Sequence, residues 1–390
     1  MTSSRIYLDN AATTWPKPEA VYQAVDEYQR RIGCSPGRST YADALAADRV
    51  VLEARLAVAR WLRVGQADHV LFAFNGTDAL NMALRGMIRP GDHVVTTIAD
   101  HNSVLRPLRW LAEHYGVRVD YVACDPEGLV ELDALRSKLN RATRLVAVNH
   151  GSNVTGTLQR LEAIVDAVRR HSSAMVLVDA AQSLGHVPLF PGEIGIDLLA
   201  APGHKGLLGP GGTGILYVRP GLEEELVPLR FGGTGSRSDE DRQPDEWPDR
   251  YEPGNPNTPA LAGLIKGIEY LEQRGLDDLR AHEVTLTQRL IDGLHAIPGV
   301  EVYGPKNAAD RVGVVSINVK GLSPHELAAI LDGQFHIQVR AGIHCAPLIH
   351  RRLGTLERGG AVRFSLGPFN TLEHVEAAIA AVGQIAQHFT

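Results

Sequence analysis

The stretch RLVAVNHGSNVTGTLQRLEAIVDAVRRHSSAMVLVDAAQS, Arg144 to Ser183, changes its apolar period twice. RLVAVNH is a short run rich in β-branched residues, RLEAIVDAVRRH places Leu161, Ile164, Val165 and Val168 at helical spacing, and AMVLVDAA is again a short apolar run. That is strand, amphipathic helix, strand. A helical crossover of this length joins parallel strands of one sheet. The same rhythm extends outward from about Asp68 to Val218: HVLFAF then DALNMALRGMI, DHVVTTIA then SVLRPLRWLAEHY, VRVDYVA then ELDALRSKL. The expected fold is α/β, with a large, mostly parallel sheet wrapped by helices.

Beyond Val218 the rhythm stops. The stretch FGGTGSRSDEDRQPDEWPDRYEPGNPNTP, Phe231 to Pro259, is polar and rich in Gly, Pro and Asp, and reads as a long functional loop or a boundary. After it, the helical pattern ALAGLIKGIEYLEQRG precedes the β-like runs VEVYG, VGVVSINV and AVRFSL and a last helix, LEHVEAAIAAVGQIAQHF. This reads as a smaller α+β unit.

The 390 residues, 44% of them hydrophobic, are enough for a large buried core. A net charge of -6 with no Lys/Arg block leaves no electrostatic footprint for nucleic acid or an anionic membrane. MTSSRIYLDNAATTW has no secretory apolar segment, and no apolar run approaches the roughly 18 residues of a membrane span. The expected location is cytoplasmic. Cys34, Cys124 and Cys345 are few and widely spaced, which suits free thiols in a reducing compartment rather than a disulfide framework.

Open α/β sheets bind ligands beyond the carboxyl ends of their strands, so the polar residues that follow each β-run matter most. Asn75, Gly76 and Thr77 lie between a strand and a helix, where free N–H groups and the helix dipole favour a phosphate; taken alone they are an ordinary helix cap. Asp179 ends AMVLVD, and can cap a turn or pair with a buried cation such as a pyridinium nitrogen. Gln182 follows one turn on. Asn149, His150 and Asn153 follow another strand, and His101 follows a third, where an imidazole can stack on a flat cofactor and handle protons.

Lys205, in PGHKGLLGPGGTG, is hemmed in by Pro202, His204 and glycines. A lysine so enclosed is poorly placed as a solvated charge, whereas a deprotonated amine forms a Schiff base with an aldehyde. A phosphate site, an Asp for a ring nitrogen and a lysine for an aldehyde together point to pyridoxal 5'-phosphate.

The segments YLDNAATTWPKP, NGTDALN, ADHNSV, GSNVTG, VDAAQS, GHKGLLGPGGTGILYV, EPGNPNTPALAGL, RAGIHCAPL and VRFSLGPFNT run in order from Tyr7 to Thr371. With them the chain resembles the class-V aminotransferases of fold type I, in the short-loop branch of the cysteine desulfurase and selenocysteine lyase group. The resemblance implies that Lys205 links the cofactor, Asp179 pairs with its ring nitrogen and His101 stacks on the ring. Gln182 and Asn153 lie near its phenolic oxygen and the substrate, while Gly76, Thr77 and His204 hold the phosphate. It implies further that Arg363 clamps the substrate carboxylate through its bidentate fork, with Asn10 and Asn153 beside it. Residues 1–19 would pack with the small domain, 20–260 form the large cofactor-binding domain and 261–390 the small one. The partners implied are a second copy of the chain, with active sites at the interface, and a sulfur-acceptor protein.

Cys345 stands where the family has its persulfide-forming nucleophile, and neighbouring His344 and Arg340 are candidates for lowering its pKa. Its plainer readings are a buried thiol, or a metal site with His344 and His350. Two residues depart from the family. Pro202 replaces a phosphate-binding hydroxyl and offers neither O–H nor N–H. Asn255 replaces a threonine that reaches the partner's phosphate. The expected activity is desulfuration of L-cysteine to L-alanine through Cys345, with selenocysteine open as a second substrate. The alternatives are a carbon–sulfur β-lyase or transaminase that does not use Cys345, and a silent, partner-binding relative.

Overall fold

The computed structural model describes residues 5–37 and 39–389; Met1 to Ser4 of the expected N-terminal segment lie outside them. In chain order the strands are β1 (Ile6–Tyr7), β2 (Val70–Ala73), β3 (His93–Thr97), β4 (Arg118–Val122), β5 (Thr143–Asn149), β6 (Met175–Asp179), β7 (Leu198–Pro202), β8 (Gly214–Val218), β9 (Val300–Tyr303), β10 (Val314–Val319), β11 (Ile337–Gln338), β12 (Arg340–Gly342) and β13 (Ala361–Ser365).

The stretch that opened the sequence analysis folds as read: β5, the helix Leu161–His171 and β6, with Asn149 level with Asp179 in a parallel pair. The large sheet has seven strands in the order β2-β8-β7-β6-β5-β3-β4. All but β8 run the same way, and β8 pairs antiparallel with both β7 and β2. The chain builds β3 and β4 toward one edge and then crosses back to lay β5 on the other side of β3. That reversal opens a crevice at the strand ends where a ligand can sit without meeting a crossover.

The strands are buried on both faces, which explains their continuous apolar runs. One core layer contains Val146, Val148, Val176 and Val178; the other contains Leu145, Ala147, Met175 and Leu177, so successive residues of a strand feed opposite layers. The helix Thr258–Arg274 buries Leu261, Leu264, Ile268 and Leu271 in the first of these layers. Between β8 and that helix there is no helix or strand. This stretch is nevertheless pinned to the large sheet: Glu252 pairs with buried Arg55 at 2.7 Å and accepts from Phe72 N at 2.6 Å, and Trp247 stacks on His69.

A second sheet, β12-β13-β10-β9, is antiparallel throughout and packs with the helices Leu276–His295 and Leu372–Phe389 around Leu290, Val315, Phe364 and Val382. β1 pairs in parallel with β11, and Ser365 N donates to Leu8 O at 2.7 Å, so the N-terminal segment is joined to this second sheet.

Candidate active site

The ends of β2, β3, β5, β6 and β7 surround a cavity of about 290 Å³, closed on its far side by Arg340 and Arg363 from the second sheet. Gly76, Thr77, His101, Asn153, Asp179, Gln182, His204, Lys205 and Arg363, all singled out from the sequence, line it together.

Asn75 caps the helix Gly76–Met87 by accepting from Asp78 N at 2.9 Å, which leaves the first N–H groups of that helix free toward the cavity. A Cβ on Gly76 would lie 3.1 Å from Pro202 Cδ, so the two segments meet closely there and a side chain would require Pro202 to give by a few tenths of an ångström. Pro202 itself lines the cavity and brings no donor. Ser103 is the neighbouring hydroxyl that sequence reasoning passed over, although it lies within the quoted ADHNSV. Its Oγ is 2.7 Å from Thr77 Oγ1 and 2.9 Å from His101 Nδ1.

His101 caps the helix Asn102–Tyr115, its Nδ1 accepting from Ser103 N at 3.1 Å. A ring nitrogen that accepts from an amide carries no proton, so the neutral ring bears its hydrogen on Nε2. Burial, followed by the nearby charge of Lys205, lowers its pKa to about 4. Just before it, Asp100 was also missed. Its carboxylate is fully buried and accepts from Thr96 Oγ1 at 2.7 Å, Thr97 N at 2.7 Å, Thr97 Oγ1 at 2.9 Å and Asn149 N at 2.7 Å. It therefore ties the ends of β3 and β5 across the crevice. Burial outweighs these donors and raises its pKa to about 6.

Asp179 accepts from Ala181 N at 2.9 Å through Oδ1, and its other oxygen has no partner among the described residues. Burial raises its pKa, against the opposing pull of Lys205. Lys205 reaches the cavity from the turn after β7, and burial lowers its pKa to about 8 even though Asp179 pulls the other way. The charges of Arg363 and Arg340 push it further down. The next residue must be glycine: a Cβ on Gly206 would sit 2.2 Å from Leu184 O. Gln182 Nε2 donates to Ala11 O at 3.0 Å, and Asn153 Nδ2 donates to His344 O at 2.6 Å.

Arg363, 1% exposed, pairs with Asp9 at 2.7 Å and donates to Asn153 O at 3.2 Å, while its Nε has no partner. Arg340 lies directly across from it in the β12–β13 register, so this end of the cavity holds two guanidinium groups.

Three further expected site residues do not line this cavity. Asn10 does not line the cavity: its Nδ2 donates to Ser365 O at 3.0 Å and Asn370 Oδ1 at 3.1 Å, and its Oδ1 accepts from Trp15 N at 3.3 Å. Its Nδ2 holds the N-terminal segment to β13 and the turn after it, and its Oδ1 braces that segment internally, so Ala11 and Ala12, not Asn10, reach the cavity wall. Asn255 is exposed and accepts from Ser35 Oγ at 2.5 Å, away from this chain's own cavity. Cys345 is exposed, not buried, and lines a neighbouring open groove that shares Thr77, His101 and Ser103 with the cavity.

His344 does not stand beside Cys345 as a cation. It is 3% exposed, its Nε2 faces Arg340 O at 3.3 Å, and burial beside Arg363 drops its pKa to about 2. His344 and Cys345 both adopt left-handed backbone, with φ of 51° and 58°. That conformation costs a residue with a side chain about 1 kcal/mol or more. Among the described residues no group of three or more His, Cys, Asp or Glu can hold a metal ion, and no helix is long and apolar enough to cross a membrane.

A family model for class-V aminotransferases matches residues 6–378. The chain belongs to the class-V aminotransferase family. Within that family it is 36% identical to a probable cysteine desulfurase of Methanothermobacter thermautotrophicus, over 98% of this chain and 94% of that protein. It is 31% identical to a cysteine desulfurase of Klebsiella pneumoniae, over 97% and 93% of the two chains. Among solved structures, the apo cysteine desulfurase of Thermococcus onnurineus superposes with a TM-score of 0.91 at 34% identity, over 98% of this chain and 95% of that one. The Escherichia coli cysteine desulfurase CsdA superposes with a TM-score of 0.87 at 26% identity, over 99% and 96%. The fold is the fold-type I architecture of this class-V family, with its large sheet flanked by helices.

Proposed function

We propose that this class-V aminotransferase family member is a pyridoxal-phosphate-dependent cysteine desulfurase, which takes sulfur from L-cysteine onto Cys345 and leaves L-alanine. One observation carries the proposal: a lysine with a depressed pKa, a carboxylate with an uncommitted oxygen and a buried arginine converge on one cavity at the topological switch point. The cavity fits the cofactor. The free N–H groups at Gly76 and Thr77, with Ser103 in place of the hydroxyl missing at Pro202, suit its phosphate; Asp179 suits its ring nitrogen and His101 its face. When bound, pyridoxal phosphate supplies an aldehyde for amines and an electron sink for a carbanion.

The chain's own residues do the rest. Arg363, held by Asp9, receives the substrate carboxylate, and Arg340 adds charge beside it. With a pKa near 8, the Lys205 amine is neutral in an appreciable fraction of molecules at neutral pH, so it can take the proton from the substrate α-carbon. Asp179 keeps a proton on the ring nitrogen by staying ionised beside it. The Cys345 thiolate attacks the substrate sulfur; a sulfur–sulfur bond forms, and the carbon–sulfur bond breaks with its electron pair left on carbon, which protonation converts to the alanine methyl group. Because Cys345 lines the neighbouring groove and not the cavity, the segment around it must turn inward for this step, and the cost of its left-handed backbone at His344 and Cys345 is consistent with such a turn. The same proposal carries a homodimer, a thiol-bearing acceptor protein and a cytoplasmic location.

The position of Cys345 also favours one rival, a carbon–sulfur β-lyase that releases sulfide without that thiol. Incubation with L-cysteine, with alanine, pyruvate and sulfide quantified and the mass of the Cys345 peptide measured, separates the two. Wild type should yield alanine and an added sulfur atom on Cys345, and Cys345→Ala should lose alanine formation by about a hundred-fold or more. Pyruvate as the product, undiminished in Cys345→Ala, would overturn the proposal in favour of the lyase.

A further inference from the structure

Lys17 is a half-buried lysine that none of these steps uses. It lies just below the cavity, at the edge of a groove lined by Trp15, Tyr22 and Pro210, and no carboxylate pairs with it among the described residues. Its ammonium instead donates to two oxygens: His204 O at 2.6 Å, and Thr14 Oγ1. Thr14 Oγ1 has one hydrogen and lies 3.2 Å from His204 O and 3.1 Å from Lys205 O. With Lys17 already serving His204 O, and Thr14 N reaching it at 3.3 Å, the hydroxyl is free to donate to Lys205 O. A lysine without a counter-ion is costly to bury, and desolvation lowers its pKa to about 7. Its retention there is explained by the carbonyls of His204, held directly, and of Lys205, held through Thr14, which belong to the peptide units flanking the Lys205 Cα.

We propose that Lys17 is a positioning residue for Lys205: it grips the His204 carbonyl directly and the Lys205 carbonyl through Thr14, and so fixes where the Lys205 amine enters the cavity. The residue after Lys205 is held as well, by the close approach of Gly206 to Leu184. The proposal deepens, and rests on, the function proposed above.

The test uses the full-length protein as wild type, Lys17→Met, Lys17→Arg and Thr14→Val, each incubated with limiting pyridoxal phosphate and then reduced with borohydride. Peptide mass spectrometry reads the fraction of Lys205 that carries the pyridoxyl group, and thermal unfolding of the unloaded protein is recorded beside it. Lys17→Met should lower capture at Lys205 by about ten-fold, since a displacement on the order of 1 Å is enough to spoil a near-attack geometry. Lys17→Arg, which restores a charged donor, should recover capture to within about three-fold of wild type. Thr14→Val, which keeps the ammonium but removes the relay, should fall between them. Capture by Lys17→Met equal to wild type overturns the proposal, as does an equal loss in Lys17→Met and Lys17→Arg that merely follows their melting temperatures. If Lys17→Met does not fold, unchanged capture in Thr14→Val overturns it. A wild-type protein with no pyridoxyl group on Lys205 refutes the proposed function itself, and this inference with it.

Discussion

At the level of single residues, the site depends on an amine that must be neutral to react yet remain in a polar cavity. Burial is what separates Lys205 from an ordinary surface lysine, and the two guanidinium groups at the far end of the cavity reinforce it. The sign follows directly: the folded pKa lies below that of a free lysine, so raising the pH through about 8 delivers the reactive form. The rate at which unloaded enzyme takes up pyridoxal phosphate, followed by absorbance, should therefore rise with pH and level off above about 8. A rate that keeps climbing to pH 10 or beyond would contradict the geometry. Lys205 and Asp179 were legible because each sits in a short motif at or just past a strand end, and Arg363 because it lies within the motif VRFSLGPFNT. Asp9, Asp100 and Ser103 were not singled out, and Arg340 only as a neighbour of Cys345, although each lies in or beside a motif, because what gives them a role at the cavity is a partner distant in the chain. Asp9 meets Arg363, Asp100 meets Asn149, and Arg340 meets its cavity neighbour only through strand register.

Secondary-structure elements set these residues relative to one another, and Asp100 is the joint between two of them. Three donors from β3 and one from β5 converge on its one buried carboxylate. Asp100→Ala leaves those donors buried without an acceptor, and should lower unfolding free energy by about 3 kcal/mol or more, measured by denaturant titration. The strand-and-helix rhythm from Asp68 to Val218 was readable because local period and burial agree there: parallel strands are covered on both faces. The reversal of β8 was hidden because GILYV has the same composition whichever way it runs. The short strands β11 and β12 were hidden because two or three residues carry no period. The long stretch before Thr258 was recognised as irregular, but its attachment through Glu252 and Trp247 depends on side chains nearly two hundred positions away.

For the molecule as a whole, the buried histidines govern the response to acid. His101, His150, His204 and His350 have pKa values lowered to about 4, and His344 to about 2, chiefly by burial. Each would take up a proton in the unfolded chain near 6.5, before it does so in the folded one. Stability is therefore lost as pH falls from that value toward 4, and a histidine with this shift contributes up to about 3 kcal/mol to the loss. Asp100, raised to about 6, acts in the opposite sense, because the folded chain binds its proton first. The histidines outnumber it. His150 is 8% exposed, and its Nδ1 has no partner. His150→Gln should thus flatten the fall in melting temperature between pH 6.5 and 4, and an unchanged slope would show that His150 is not neutral in the folded protein.

The separation between the Lys205 cavity and the groove that holds Cys345 has a kinetic consequence. Under the function proposed above, Cys345 is loaded in one compartment and unloaded in another, so it would work as a shuttle whose round trip displaces solvent at every turnover. Drag on that short segment then enters the rate alongside the chemistry. Viscosity, which leaves a reaction confined to a closed chamber untouched, becomes a variable the enzyme feels.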